Sequence, residues 1–164
     1  MVVSYAHNKT FLALHRWLAG PSGVLLSSVI LRKEYGMQTP FVVTDAAMND
    51  LLRPSMYDAW HGIVPLAPHS LGQPCAPTHV VGPVCESGDT FARDRALPPL
   101  PRGARVAILD TGAYGAVMSS TYNSRPLASE VLVEDGEWTV IRRRQTVEEL
   151  WQDETVPAFT GGTM

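Results

Sequence analysis

Apolar residues in this chain come in short runs cut by glycine and proline, without the broad stripe of a long amphipathic helix. Residues 24–31 and 41–44 are β-branched and aromatic runs bounded by Gly and Pro, a pattern that predicts buried strands, and residues 80–84 and 106–109 repeat it. Val131-Leu132-Val133 and Trp138-Thr139-Val140-Ile141 flank Glu134-Asp135-Gly136-Glu137. The central Asp-Gly is the favoured pair of a tight hairpin turn, so these runs are expected to pair antiparallel. Thr146 with Glu149 three residues on forms a capping box before Leu150 and Trp151 and predicts a short closing helix over 146–151. A second short helix is expected over 54–61, where Pro54 suits the first turn. Many short strands, frequent turn signals and few helices predict an all-β fold with short helices, an antiparallel barrel or sandwich. The end, Phe159-Thr160-Gly161-Gly162-Thr163-Met164, carries no pattern and is expected to fray.

Composition agrees with a folded domain. The chain has 164 residues, 45% apolar and 18% charged, enough to bury a core and far from a disordered composition. Thirteen Gly and thirteen Pro favour short elements joined by turns. A net charge of −3 leaves no broad basic face for phosphates, which argues against nucleic acid as a partner. Arg142-Arg143-Arg144, the single basic cluster, reads as the solvated end of a strand. Two cysteines make no disulfide framework, no apolar run approaches a bilayer span, and the N-terminus lacks the pattern of a signal peptide. No membrane partner is expected, and the cytoplasm is the expected compartment.

Three stretches carry candidate chemistry. At the 54–61 helix, Arg53, Tyr57 and His61 follow at four-residue steps and would line one face with a guanidinium, a phenol and an imidazole. A guanidinium held in place suits a carboxylate or phosphate ligand; alternatively Arg53 pairs with Asp50 or Asp58 and the rings pack. His69, Cys75, His79 and Cys85 are the residue types of a zinc site, but they alternate at intervals that do not match paired zinc ligands. Cys85 lies instead beside Glu86 in Gly82-Pro83-Val84-Cys85-Glu86-Ser87-Gly88-Asp89, where an apolar strand runs into a turn that can aim a side chain into a cavity. Third, Ala107-Ile108-Leu109-Asp110-Thr111-Gly112-Ala113 is written like the active loop of a retroviral-type aspartic protease. That fold also needs a later strand ending in an apolar-apolar-Gly-Arg or Gly-Asn motif, and none follows Gly112.

Taken together, Val81 to Asp89, Met48-Asn49-Asp50 through Arg53-Pro54 to Tyr57 and His61, and Gly112-Ala113-Tyr114-Gly115 closely resemble the C-terminal half of the diaminopimelate decarboxylase family. These pyridoxal-phosphate enzymes pair an α/β barrel with a C-terminal β domain and convert meso-diaminopimelate to L-lysine and carbon dioxide. The resemblance runs from about Arg16 to about Trp151, with the motifs in family order. It implies the Greek-key-like β domain of a fold-type III decarboxylase over 16–155, an unmatched leader over 1–15 and a tail over 156–164. It also implies that Arg53, Tyr57 and Arg16 contact a substrate carboxylate. Glu86 would pair with the distal ammonium, and Cys85 would protonate the carbanion left by carbon dioxide. Tyr114 would contact the cofactor phosphate and the substrate region, with Asp110-Thr111-Gly112 shaping the turn. In that family Cys85 and Glu86 reach the partner subunit's site, so a homodimer or a barrel-bearing chain is the implied partner.

The departures are as informative. The only lysines are Lys9 and Lys33, and neither corresponds to the family's cofactor-binding lysine, which sits in the barrel together with a glycine-rich phosphate loop. Where the family writes Glu-Pro-Gly-Arg this chain has Ala13-Leu14-His15-Arg16, keeping Arg16 alone with the Arg position. Residues 1–15 read as an unrelated leader joined at the domain switch, as in a gene fragment or a truncated reading frame. Two functional classes follow: a decarboxylase component that needs a barrel from another chain, or a non-catalytic remnant or subunit-binding module.

Overall fold

A computed structural model describes residues 16–36, 38–67 and 72–157. The expected leader over 1–15, Lys9, His69 and the chain end from 158 lie outside the described residues. The described chain separates into two units, one up to Ser119 and the other from Ser120.

In the first unit the apolar runs become strands and fix the sheet. β1 is Leu25–Lys33, β2 Phe41–Thr44, β3 Ile63–Pro65, β4 Ala76–Val81, β5 Thr90–Leu97 and β6 Arg105–Ile108, and α1 is the single turn Arg53–Tyr57. They assemble in the order β3-β6-β1-β2-β4-β5. All neighbouring strands run antiparallel except β2 and β4, so the sheet is mixed through that one pair. Alternation along the strands aims Val29, Val42, Val80, Phe91, Val106 and Ile108 to one side, where Leu51, Leu97 and Leu100 complete the core. Each such side chain contributes about 1.5–3 kcal/mol on burial. The two edge strands approach each other through Arg95 of β5. Its Nη1 donates to the His61 carbonyl just ahead of β3 at 2.8 Å, and its guanidinium lies 4.4 Å from the Trp60 ring centroid. Burial there pulls the Arg95 pKa below its ordinary value.

β4 starts earlier than the 80–84 pattern suggests and stops at Val81. Beyond it the Val84 N–H turns inward to the Asp89 carboxylate, so no ladder can continue. β3 and β5 escape the apolar pattern altogether. β3 has only three residues, and β5 breaks its alternation where Arg93 and Asp94 are exposed in succession. Asp94 has φ 47°, and its N–H goes to His79 Nδ1 at 3.1 Å beside a register shift of the β4–β5 ladder.

The second unit holds the expected hairpin, β7 Glu130–Glu134 and β8 Glu137–Arg142. Asp135 and Gly136 both take positive φ, 49° and 85°, as a type I′ turn requires. The closing element is a 3-10 turn, Glu148–Leu150, shorter than expected. Half of the capping box forms, with Thr146 N–H donating to Glu149 Oε2 at 2.7 Å. The neighbouring Arg143 grips the same carboxylate, and the two contacts pull the Glu149 pKa down to about 2.

Candidate functional site

Strand direction decides which loops meet. The register pairs Leu25 with Ile108 and Ile108 with Ile63, and brings Thr44 toward the Leu25 end of β1. β4 runs parallel to β2, and Val81 faces Thr90 across the β4–β5 ladder. The segments before β1, after β2, before β3, after β4 and after β6 therefore all leave from one end of the sheet. Arg16, Arg53, Tyr57, Cys85, Glu86 and Tyr114 are all on those segments.

Two of these loops interlock through glycine. Residues 16–19 are helical and run into a 3-10 turn at Gly20–Ser22, with Arg16 exposed. Thr111 N–H donates to the Gly23 carbonyl at 2.9 Å, and Gly112 N–H donates to Gly20 at 3.0 Å. A Cβ on Gly23 would lie 2.6 Å from Gly112 Cα. Asp110, with φ 60°, is exposed and serves to turn the chain from β6 into this contact. Next along the loop Tyr114 takes φ 59°, an unusual conformation for an aromatic residue, and leaves its ring partly exposed. The Arg53 guanidinium lies 5.8 Å from the centroid of that ring, which brings α1 to the loop.

The polar stripe expected along α1 does not form. The helix ends at Tyr57 because Asp58 turns left-handed at φ 50°, and Ala59 N–H caps Arg53. His61 lies beyond that break and is buried, its Nδ1–H donating to the Leu109 carbonyl at 2.8 Å. It anchors the approach to β3 while Arg53 and Tyr57 remain on the helix. Asp50 turns its Oδ2 to the Ala47 N–H at 2.9 Å, closing the turn that leads into α1.

Cys85 and Glu86 stand exposed on the loop after β4. Glu86 Oε1 accepts from Gly88 N–H at 3.1 Å and from the Ser87 hydroxyl at 3.3 Å. Cys75 precedes β4 and Cys85 follows it, so about 17 Å of strand separates the thiols and one ion cannot bridge them. Among the described residues no group of three or more metal-ligating side chains gathers. The side chain that sequence reading missed is Asp89, which is buried and accepts from Val84 N–H at 2.8 Å and Met48 N–H at 2.7 Å. Its signal is Gly82, where a Cβ would collide with that carboxylate.

Comparison with known proteins adds the family context. Residues 17–112 match the family model of the pyridoxal-dependent decarboxylase C-terminal sheet domain. Diaminopimelate decarboxylase of Zymomonas mobilis subsp. mobilis is 48% identical over 139 residues, covering 85% of this chain and 32% of the relative. The solved structure of diaminopimelate decarboxylase from Helicobacter pylori complexed with L-lysine matches with TM-score 0.78 at 45% identity, over 85% of this chain and 33% of that one. The M. jannaschii enzyme in co-complex with L-lysine gives TM-score 0.80 at 37% identity, over 87% and 32%. The chain thus spans about a third of the length of the curated relatives it matches.

Proposed function

The chain belongs to the pyridoxal-dependent decarboxylases as their C-terminal sheet domain, and from that premise we propose that it is the site-completing β domain of a diaminopimelate decarboxylase. The observation that carries this reading is the gathering of Arg16, Arg53, Tyr57, Cys85, Glu86 and Tyr114 at one end of the sheet. Arg53 offers a planar pair of donors to a substrate carboxylate, with Tyr57 and Arg16 as further donors. Glu86 is an acceptor for the distal ammonium. Cys85, exposed on the same loop, donates the proton that replaces the lost carboxylate. Such a site takes meso-diaminopimelate and yields lysine and carbon dioxide. The reading places the chain in the cytoplasm, in a homodimer or with a barrel-bearing decarboxylase chain. Among the described residues no helix is long and apolar enough to cross a membrane.

Pyridoxal phosphate, when bound, supplies the electron sink for decarboxylation. This chain fits only the fringe of that cofactor. Tyr114 is the residue that would face its phosphate, but Lys33 ends β1 at the opposite end of the sheet from the candidate site. The covalent anchor must come from the barrel. The second reading is a remnant that binds a decarboxylase subunit without completing it.

The test is to mix the purified chain with a separately expressed barrel region from a relative and follow carbon dioxide release from meso-diaminopimelate. We expect no turnover and no retained cofactor for the chain alone. Turnover should appear in the mixture and fall by about 100-fold with Cys85→Ala. Turnover by the chain alone, or an unaffected Cys85→Ala mixture, overturns the proposal. A stable complex without turnover is the signature of the second reading.

A further inference from the structure

We infer that Asp89 is a positioning residue that clamps the Cys85–Glu86 loop to the segment carrying Arg53 and Tyr57. The inference rests on the functional reading above for what is being positioned, and on hydrogen bonds for the clamp itself. The Asp89 side chain is buried, and its two oxygens divide between the two segments. Oδ2 accepts from Val84 N–H at 2.8 Å, immediately before Cys85, and Oδ1 accepts from Met48 N–H at 2.7 Å, in the turn that leads into α1. Its backbone closes the same loop. Gly82 N–H donates to the Asp89 carbonyl at 3.1 Å, and Asp89 N–H donates to the Glu86 carbonyl at 3.1 Å. The carboxylate occupies the space where a side chain on residue 82 would stand, which accounts for Gly82.

The chemistry of the acceptor is specific. A carboxylate presents acceptors on both oxygens, so it can take one amide from each segment at once. An amide of the same shape would turn an N–H donor toward one of the two backbone N–H groups and lose that bond. The Met48 side of the clamp is itself held firmly. Asp50 Oδ2 takes the Ala47 N–H at 2.9 Å, and Asp45 Oδ1 takes the Ser28 N–H at 2.8 Å and the Ser27 hydroxyl at 2.5 Å. Asp89 therefore ties the exposed Cys85–Glu86 loop to the turn that leads into α1, and the placement of the Cys85 thiol follows from that attachment.

Cys75, exposed at the opposite end of β4, provides an internal control. The experiment measures iodoacetamide alkylation of both thiols by peptide mass spectrometry in the full chain and in Asp89→Asn, together with amide hydrogen exchange. Asp89→Asn should change the Cys85 rate by roughly threefold or more and leave Cys75 unchanged. The Met48 and Val84 amides should exchange about tenfold faster or more. A merely structural role would lower the melting temperature and leave the ratio of the two thiol rates where it was, and that result overturns the inference. Should Asp89→Asn fail to fold, Gly82→Ala displaces the same carboxylate without removing its charge and is held to the same outcomes. Unprotected Met48 and Val84 amides in the unmodified chain would overturn the clamp without any variant. In an active mixture with a barrel, Asp89→Asn should lower kcat by about tenfold or more. An active mixture indifferent to Asp89→Asn sinks this inference alone. An inactive mixture with the expected alkylation and exchange sinks only the functional reading.

Discussion

Gly23 and Gly112 meet back to back, and that contact seats the segment that begins with Arg16. A Cβ on Gly112 would collide with the Ala19 carbonyl and lie 2.5 Å from Ser22 Oγ and 2.8 Å from Gly23 N, all within the docked turn. Gly112→Ala should therefore lower stability by about 2 kcal/mol, read as a shift in the urea midpoint at unchanged slope. A midpoint equal to the parent's would show that the turn can back away at no cost. Single residues were legible in the sequence as to the loop that carries them, as with Cys85, Glu86 and Tyr114. They were misread where a motif was extended by periodicity. His61 follows Arg53 and Tyr57 at four-residue steps, but those steps align the three only if the helix continues. Asp58 stops it at φ 50°, and no apolar pattern announces a left-handed aspartate. Asp89 lies in the same motif as Cys85 and Glu86, but a carboxylate that accepts two backbone amides has no signature in spacing.

Elements with local turn chemistry were the readable ones. Asp135-Gly136 predicted the β7–β8 hairpin because positive φ at both central positions is a requirement of two residues alone. β5 was unreadable because its broken alternation is set by pairing with β4, a nonlocal event. The parallel β2–β4 pair is likewise a product of topology and leaves no trace in either strand's composition. The closing turn makes its own prediction. Arg143 and the Thr146 N–H hold Glu149 ionised down to about 2, so the folded pKa lies below the unfolded one. The stability this carboxylate contributes is present above the ordinary glutamate range and is lost as pH falls from there through about 2. Glu149 is half-buried against Arg143, and the direct signal to follow is its own titration by NMR. Arg143→Gln should raise the Glu149 midpoint toward the ordinary value. A midpoint that does not move assigns the depression to the Thr146 amide instead.

At the scale of the molecule, the sheet carries apolar side chains on both faces. Leu25, Ile108 and Ile63 align across β1, β6 and β3 on the core side, and the next register row is Leu26, Ala107 and Val64. Leu26 is 64% exposed and Val64 38%, and Leu66, Trp60, Trp17 and Leu18 of the same unit are exposed as well. Strands apolar on both faces are strands meant to be covered on both faces. A soluble monomer rarely shows a continuous apolar patch beyond a few hundred Å². The relatives carry about two thirds of their length outside the matched region, and under the proposed function that remainder supplies the cover for this face. The purified chain should accordingly bind a hydrophobic dye such as anilinonaphthalene sulfonate and self-associate as its concentration rises. Leu26→Lys should weaken both effects, because Leu26 lies on the open face and its loss leaves no cavity in the core. Adding a separately expressed barrel region should quench the dye signal in step with complex formation. A chain that stays monodisperse and dark with the dye would mean that the outer row is satisfied within this chain and calls for no further cover.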